Sequence, residues 1–147
     1  MRILVCGSRG LKHTLAVRKY LRDFVMAYLR KRAELSGSRC DEPIVIIHGA
    51  CEGSPDVVGA GLGWDTKWIV VPYPANWAKY GLRAGPIRNQ EMLVKSKPDI
   101  IIAFWDGRSA GTLNMVSLAK AAGVRTVVVT YEAEYHPKTV LDKYSNL

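Results

Sequence analysis

Apolar residues fall along this chain in two rhythms. Unbroken runs occur at 2–6 (RILVC), 44–47 (IVII), 67–71 (KWIVV), 99–104 (DIIIAF) and 124–130 (VRTVVVT). They lack the alternation of a strand with one wet face, so they predict strands covered on both sides, as in a parallel sheet. Between them the period lengthens. Leu15, Val17, Leu21, Phe24, Val25 and Tyr28 recur near helical spacing in a segment reaching Arg32. Ser54 and Pro55 suit the cap and first position of a helix running to Leu62. Gly59 and Gly61 weaken that helix and read as points of close approach to a sheet. Gly85 and Pro86 open a further helix at 87–95. The last spans 112–122, with Leu113, Val116, Leu118, Ala119 and Ala122 inward and Gly123 ending it. Strands alternating with helices imply an α/β doubly wound sheet of five parallel strands, in the order 3-2-1-4-5.

Three segments stand outside this rhythm. Residues 34–43 form a polar linker containing Gly37, Ser38 and Pro43. Pro72 and Pro74 stop the third strand, and the connection at 73–85 is long for its fold class. With Trp77, Lys79, Tyr80 and Arg83 it reads either as a lid over the strand ends or as cover for the sheet edge. The tail from Tyr131, with Glu132, Glu134, His136 and Pro137, suggests a short helix ending near Tyr144.

At 147 residues, 48% hydrophobic and 23% charged, the chain reads as one globular domain over 1–147. No apolar run has membrane-spanning length, and no leader precedes the first strand, so a cytoplasmic protein with no membrane partner is expected. Cys6, Cys40 and Cys51 form no CxxC pair, which argues against a disulfide framework or thiolate zinc site. No metal and no required cofactor are expected. The net charge of +8 favours anionic partners.

A sheet of that order places the loops after strands one and four together at its reversal point. Three loops are then candidates for one pocket: Gly7-Ser8-Arg9-Gly10, His48-Gly49-Ala50-Cys51-Glu52-Gly53, and Asp106-Gly107-Arg108-Ser109-Ala110-Gly111-Thr112. None is a Walker A loop or a GxGxxG turn, so P-loop hydrolysis and ordinary dinucleotide binding are disfavoured. Arg88 is the more specific signal. With Pro86 in the first helical turn, Arg88 puts a cation at the positive end of a helix, and either a bound phosphate or Glu91 would offset that. Asn89 could present its amide to the same group. Arg9 and Arg108 follow the same logic, while Ser8, Ser109 and Thr112 suit phosphate contact and turn or cap roles equally. Acid–base candidates are Asp106, Glu91 and His48, with Glu52 and Asp56 behind them. Arg18, Lys19, Arg22, Arg30, Lys31 and Arg32 give the first helix a basic face, either solvated or able to track nucleic acid.

The segments ILVCGSR, IIHGACEG, PANWAKYGLRAGPIRNQEML and IIAFWDGRSAGT together resemble the SLOG superfamily in its YspA-type branch, over roughly residues 2–130. The resemblance implies a Rossmann-like domain that binds nucleotides or nucleotide-derived ligands at the strand ends, commonly as a dimer, in bacteria and phages. In the related LOG enzymes an arginine and a glutamate cleave a nucleoside monophosphate at its N-glycosidic bond. Arg88 stands in the arginine's place, and the glutamate's position is Met115. DprA relatives bind single-stranded DNA. The leading expectation is therefore a phosphorylated-ligand binder, possible as a sensor, using Gly7, Ser8, Arg9, Gly49, Ala50, Gly53, Trp77, Arg88, Asn89, Asp106, Gly107, Arg108, Ser109, Gly111 and Thr112. The alternatives are a nucleotide N-glycosidase and a DNA-binding module.

Overall fold

The structure is a computed structural model. It describes residues 1–10, 14–38, 41–132 and 135–140, with the side chains of 56, 57 and 131–140 outside the description. Strands β1 (Arg2–Gly7), β2 (Val45–His48), β3 (Ile69–Pro72), β4 (Ile100–Trp105) and β5 (Arg125–Glu132) form a parallel sheet in the order β3-β2-β1-β4-β5. The fold is thus the α/β arrangement that the unbroken apolar runs imply.

Helices α1 (Thr14–Ser36) and α2 (Pro55–Asp65) cover one face. There Val17, Leu21, Val25 and Leu62 pack on Ile3, Val5, Ile46, Ile102 and Phe104. Tyr20 meets Phe104 edge-on, with ring centroids 5.6 Å apart. Alternate strand residues point to the opposite face, where Leu4, Ile47 and Ile101 meet Met92 and Leu93 of α4 (Ala84–Ser96) and Met115 and Ala119 of α5 (Ala110–Ala121).

Several local readings change. The close approach of α2 to the sheet occurs at Gly59 and Gly63 rather than Gly61. A Cβ on Gly63 would lie 2.6 Å from Val70 Cγ2, whereas Gly61 faces open space. In α5 the buried row is Thr112, Met115, Val116 and Ala119, while Leu113 is exposed. That helix is apolar on several sides, so spacing alone did not select its inward face. The connection at 73–85 carries its own short helix, α3 (Trp77–Tyr80), followed by a 3-10 turn over Gly81–Arg83. Asn76 caps α3 by accepting a bond from the Lys79 amide at 3.0 Å. The tail forms a sixth strand, β6 (Tyr135–Val140), instead of starting a helix. It pairs antiparallel with β5, placing Val128 opposite Val140 and Val129 opposite Thr139. An edge strand tolerates Pro137, which lacks a donor. Tyr144, the expected helix end, and Cys40 lie outside the described residues.

Candidate functional site

The first loop is fixed by close packing. A Cβ at Gly7 would sit 2.5 Å from the Phe104 carbonyl oxygen and 2.6 Å from Pro55 Cγ, so only glycine lets β1, the end of β4 and the start of α2 converge. Ser8 N donates to Phe104 O at 2.9 Å, and Gly10 N donates to Gly53 O at 2.9 Å. Arg9 is exposed. Its Nε donates to Cys51 Sγ at 3.0 Å and its guanidinium lies 6.0 Å from the Trp77 ring centroid.

Arg88 comes from the opposite side. Because α4 begins at Ala84, Pro86 is its third residue and Arg88 lies in the second turn. The helix dipole acts only weakly on Arg88 there, since its effect fades beyond the first turn. Carbonyls hold the side chain instead. Nη1 donates to Gly49 O and, at 3.1 Å, to Tyr73 O, while Nε donates to Asn89 Oδ1 at 3.0 Å. A Cβ on Gly49 would fall 2.1 Å from Nη1, so this glycine makes room for the guanidinium. Asn89 Nδ2 continues the chain to Gly111 O at 3.2 Å and Asn114 Oδ1 at 2.9 Å. One pair of α4 side chains therefore ties the loops after β2 and β3 to the start of α5.

Glu91, the other candidate partner for Arg88, bonds Lys95 at 2.5 Å on the exposed face of α4. Among the described residues no carboxylate forms an ion pair with Arg88, and no hydrogen bond engages its Nη2. The guanidinium is part-buried and uncompensated.

A cavity of about 120 Å³ opens between these elements. Gly7, Arg9, Gly49, Cys51, Trp77, Arg88 and Asn89 border it. Ser109, Gly111 and Thr112 do so as well, and Cys6, Met92 and Met115 contribute apolar surface. Ser54 also borders it, is only 4% exposed, and has a hydroxyl with no partner. It occupies the N-cap of α2 yet makes no capping bond. Met115 is buried here, and its thioether cannot act as an acid or base.

The loop after β4 is different. Asp106 Oδ1 accepts the amides of Arg108 at 2.9 Å and Ser109 at 2.8 Å. Ser8 is buried, and its Oγ accepts the Asp106 amide at 3.0 Å. Ser109 Oγ accepts from Thr112 N at 3.4 Å and Thr112 Oγ1 at 3.2 Å. Partial burial raises the Asp106 pKa, but the amides of Ser109 and Arg108 and the Ser8 hydroxyl outweigh it and hold the carboxyl below its ordinary value. Asp106 is thus a turn organiser that stays ionised. Ser8, Ala50, Gly53, Asp106, Gly107 and Arg108 are not among the residues bordering the cavity.

His48 is 5% exposed, with Nδ1 accepting the Ala50 amide at 3.2 Å and Nε2 unpartnered. Burial, then the nearby Arg88 charge, lower its pKa and keep it neutral. The basic face of α1 is partly neutralised: Arg18 pairs with Asp65 at 2.5 Å, Lys19 and Arg22 with Asp23, and Arg32 with Glu42 at 3.9 Å. Among the described residues there is no cluster able to hold a metal and no helix long and apolar enough to cross a membrane.

Nine of the expected ligand residues therefore share one cavity wall: Gly7, Arg9, Gly49, Trp77, Arg88, Asn89, Ser109, Gly111 and Thr112. Ser54, Cys6, Gly85 and Met92 also border the cavity and were not among the expected site residues. Ser54 looked like an ordinary cap, and the others carry no polar signal.

The chain is 31% identical over 131 residues to Gene 61 protein of Mycobacterium phage D29, covering 86% of this chain and 94% of that protein. It belongs to that protein's family. No family model matches the chain.

Proposed function

We propose that this protein binds a nucleotide or nucleotide-derived phosphorylated ligand in the cleft at the carboxyl ends of its strands, as a member of the YspA-type branch of the SLOG superfamily. The observation that carries this reading is Arg88. A charge withdrawn from water is unfavourable unless an opposite charge meets it. The carbonyls of Gly49 and Tyr73 aim the guanidinium but do not neutralise it. A ligand phosphate would supply the missing charge and accept the free edge of the fork. Trp77, 48% exposed at the cleft mouth, offers an aromatic surface to a base.

Binding is favoured over N-glycosidic hydrolysis because none of the described residues bordering the cavity is a carboxylate. Glu91 faces solvent with Lys95, and Asp106 is occupied by its own turn. The test is calorimetric titration with adenosine 5′-monophosphate and adenosine. The monophosphate should bind, and R88A should weaken it at least ~100-fold, about 2.8 kcal/mol. Equal binding of both compounds would overturn the reading. Release of ribose 5-phosphate would replace a binder with a hydrolase.

A further inference from the structure

The helices that follow β2 and β4 both begin beside the cleft, and their serine caps differ. At α5 Ser109 Oγ accepts from the Thr112 amide at 3.4 Å, and Asp106 holds the amides of Arg108 and Ser109 just ahead of the helix. At α2 the corresponding serine, Ser54, is in extended backbone, with φ −115° and ψ 161°, and makes no capping bond. Its hydroxyl is buried beside the cavity with no partner. A buried hydroxyl without a partner is unfavourable, and native proteins rarely keep one without a reason. The next residue, Pro55, has no donor, so the serine is the polar group at the very tip of this helix.

We infer that the start of α2, with the Ser54 hydroxyl as donor, is the seat of a terminal phosphate. This rests on the phosphorylated-ligand reading and assigns the end of the ligand that enters. The helix N-terminus supplies partial positive charge, and Arg88, bordering the same cavity, supplies a full one. Size agrees. A cavity of about 120 Å³ is below the roughly 300–1,000 Å³ of pockets that enclose whole ligands. It has room for a phosphoryl group. The sugar and base therefore remain toward Arg9 and Trp77 at the mouth, and the ligand class is a phosphomonoester entering phosphate first.

Thermal unfolding with inorganic phosphate, against chloride at equal ionic strength, tests this. Phosphate should raise the melting temperature of the wild-type protein. S54A should melt no lower than wild type in chloride, because no capping bond is lost, and its apparent phosphate affinity should fall at least tenfold. S54D, which places a carboxylate in the seat, should melt higher and ignore phosphate. A full phosphate response in S54A, with loss in R88A or S109A, would overturn this assignment while leaving the ligand-binding reading intact. Marked destabilisation of S54A in chloride would also overturn it, by making Ser54 an ordinary cap. No phosphate response in wild type would overturn the seat. Failure of adenosine 5′-monophosphate to bind as well would bring down the underlying reading.

Discussion

The loops after β2 and β4 look alike on paper. Each follows a buried strand, contains glycine, and ends in a serine that precedes a helix and borders the cleft. In the fold they are opposites. The loop after β4 consumes its own polar groups, with Asp106 folded onto two amides, Ser8 holding the Asp106 amide and Ser109 capping α5. The loop after β2 leaves two buried polar atoms, His48 Nε2 and Ser54 Oγ, without partners, and has an uncompensated arginine resting on Gly49. One loop satisfies most of its polar groups itself, and the other leaves two of them unsatisfied. Glycine-rich composition marks a turn, whereas unsatisfied polar groups around a cavity mark a site.

The contrast breaks most readily at Gly49. In G49A the new Cβ collides with Arg88 Nη1, so the guanidinium must leave its carbonyls. Ligand affinity should fall about as far as in R88A, with little loss of stability because the flexible end of Arg88 moves aside, measured by calorimetry and urea unfolding. The corresponding G111A change in α5 meets open space and should be tolerated by the fold.

His48 gives a second, smaller contrast. Burial and Arg88 lower its pKa, so the folded state resists a proton that the unfolded chain accepts near 6.5. Its contribution to stability is therefore complete above that value and declines as pH falls through it, by at most about 1.4 kcal/mol per pH unit. H48Q should flatten that part of the pH–stability curve. Bound phosphate, by neutralising Arg88, should flatten it in the wild type.

The smallest effect belongs to Asp106. D106N should lose about 1 kcal/mol or less from the exposed turn and change ligand affinity less than ~3-fold, as seen by unfolding and titration. A large affinity loss would bring Asp106 itself into the binding site.

Much of this architecture was legible in the residues. The run Ile100–Ile102 has no polar break, and such a strand needs cover on both faces; the strand order then followed from alternation with helices. The sixth strand was not legible, because Tyr135–Val140 is polar, contains proline and gains its form from pairing with β5. At the site, Arg88 and Asn89 stood out by position, and Gly49 by its turn. Ser54 and Ser109 are indistinguishable as letters, since each precedes a helix. Only the placement of their oxygens relative to the first-turn amides separates them, and that geometry depends on the whole cleft.

The most direct measurement is a crystal structure of the protein with adenosine 5′-monophosphate. The account predicts phosphorus within hydrogen-bonding reach of the Arg88 guanidinium and the Ser54 hydroxyl, with the base toward Trp77. Phosphorus against Asp106 and Arg108, or along the basic face of α1, would contradict it.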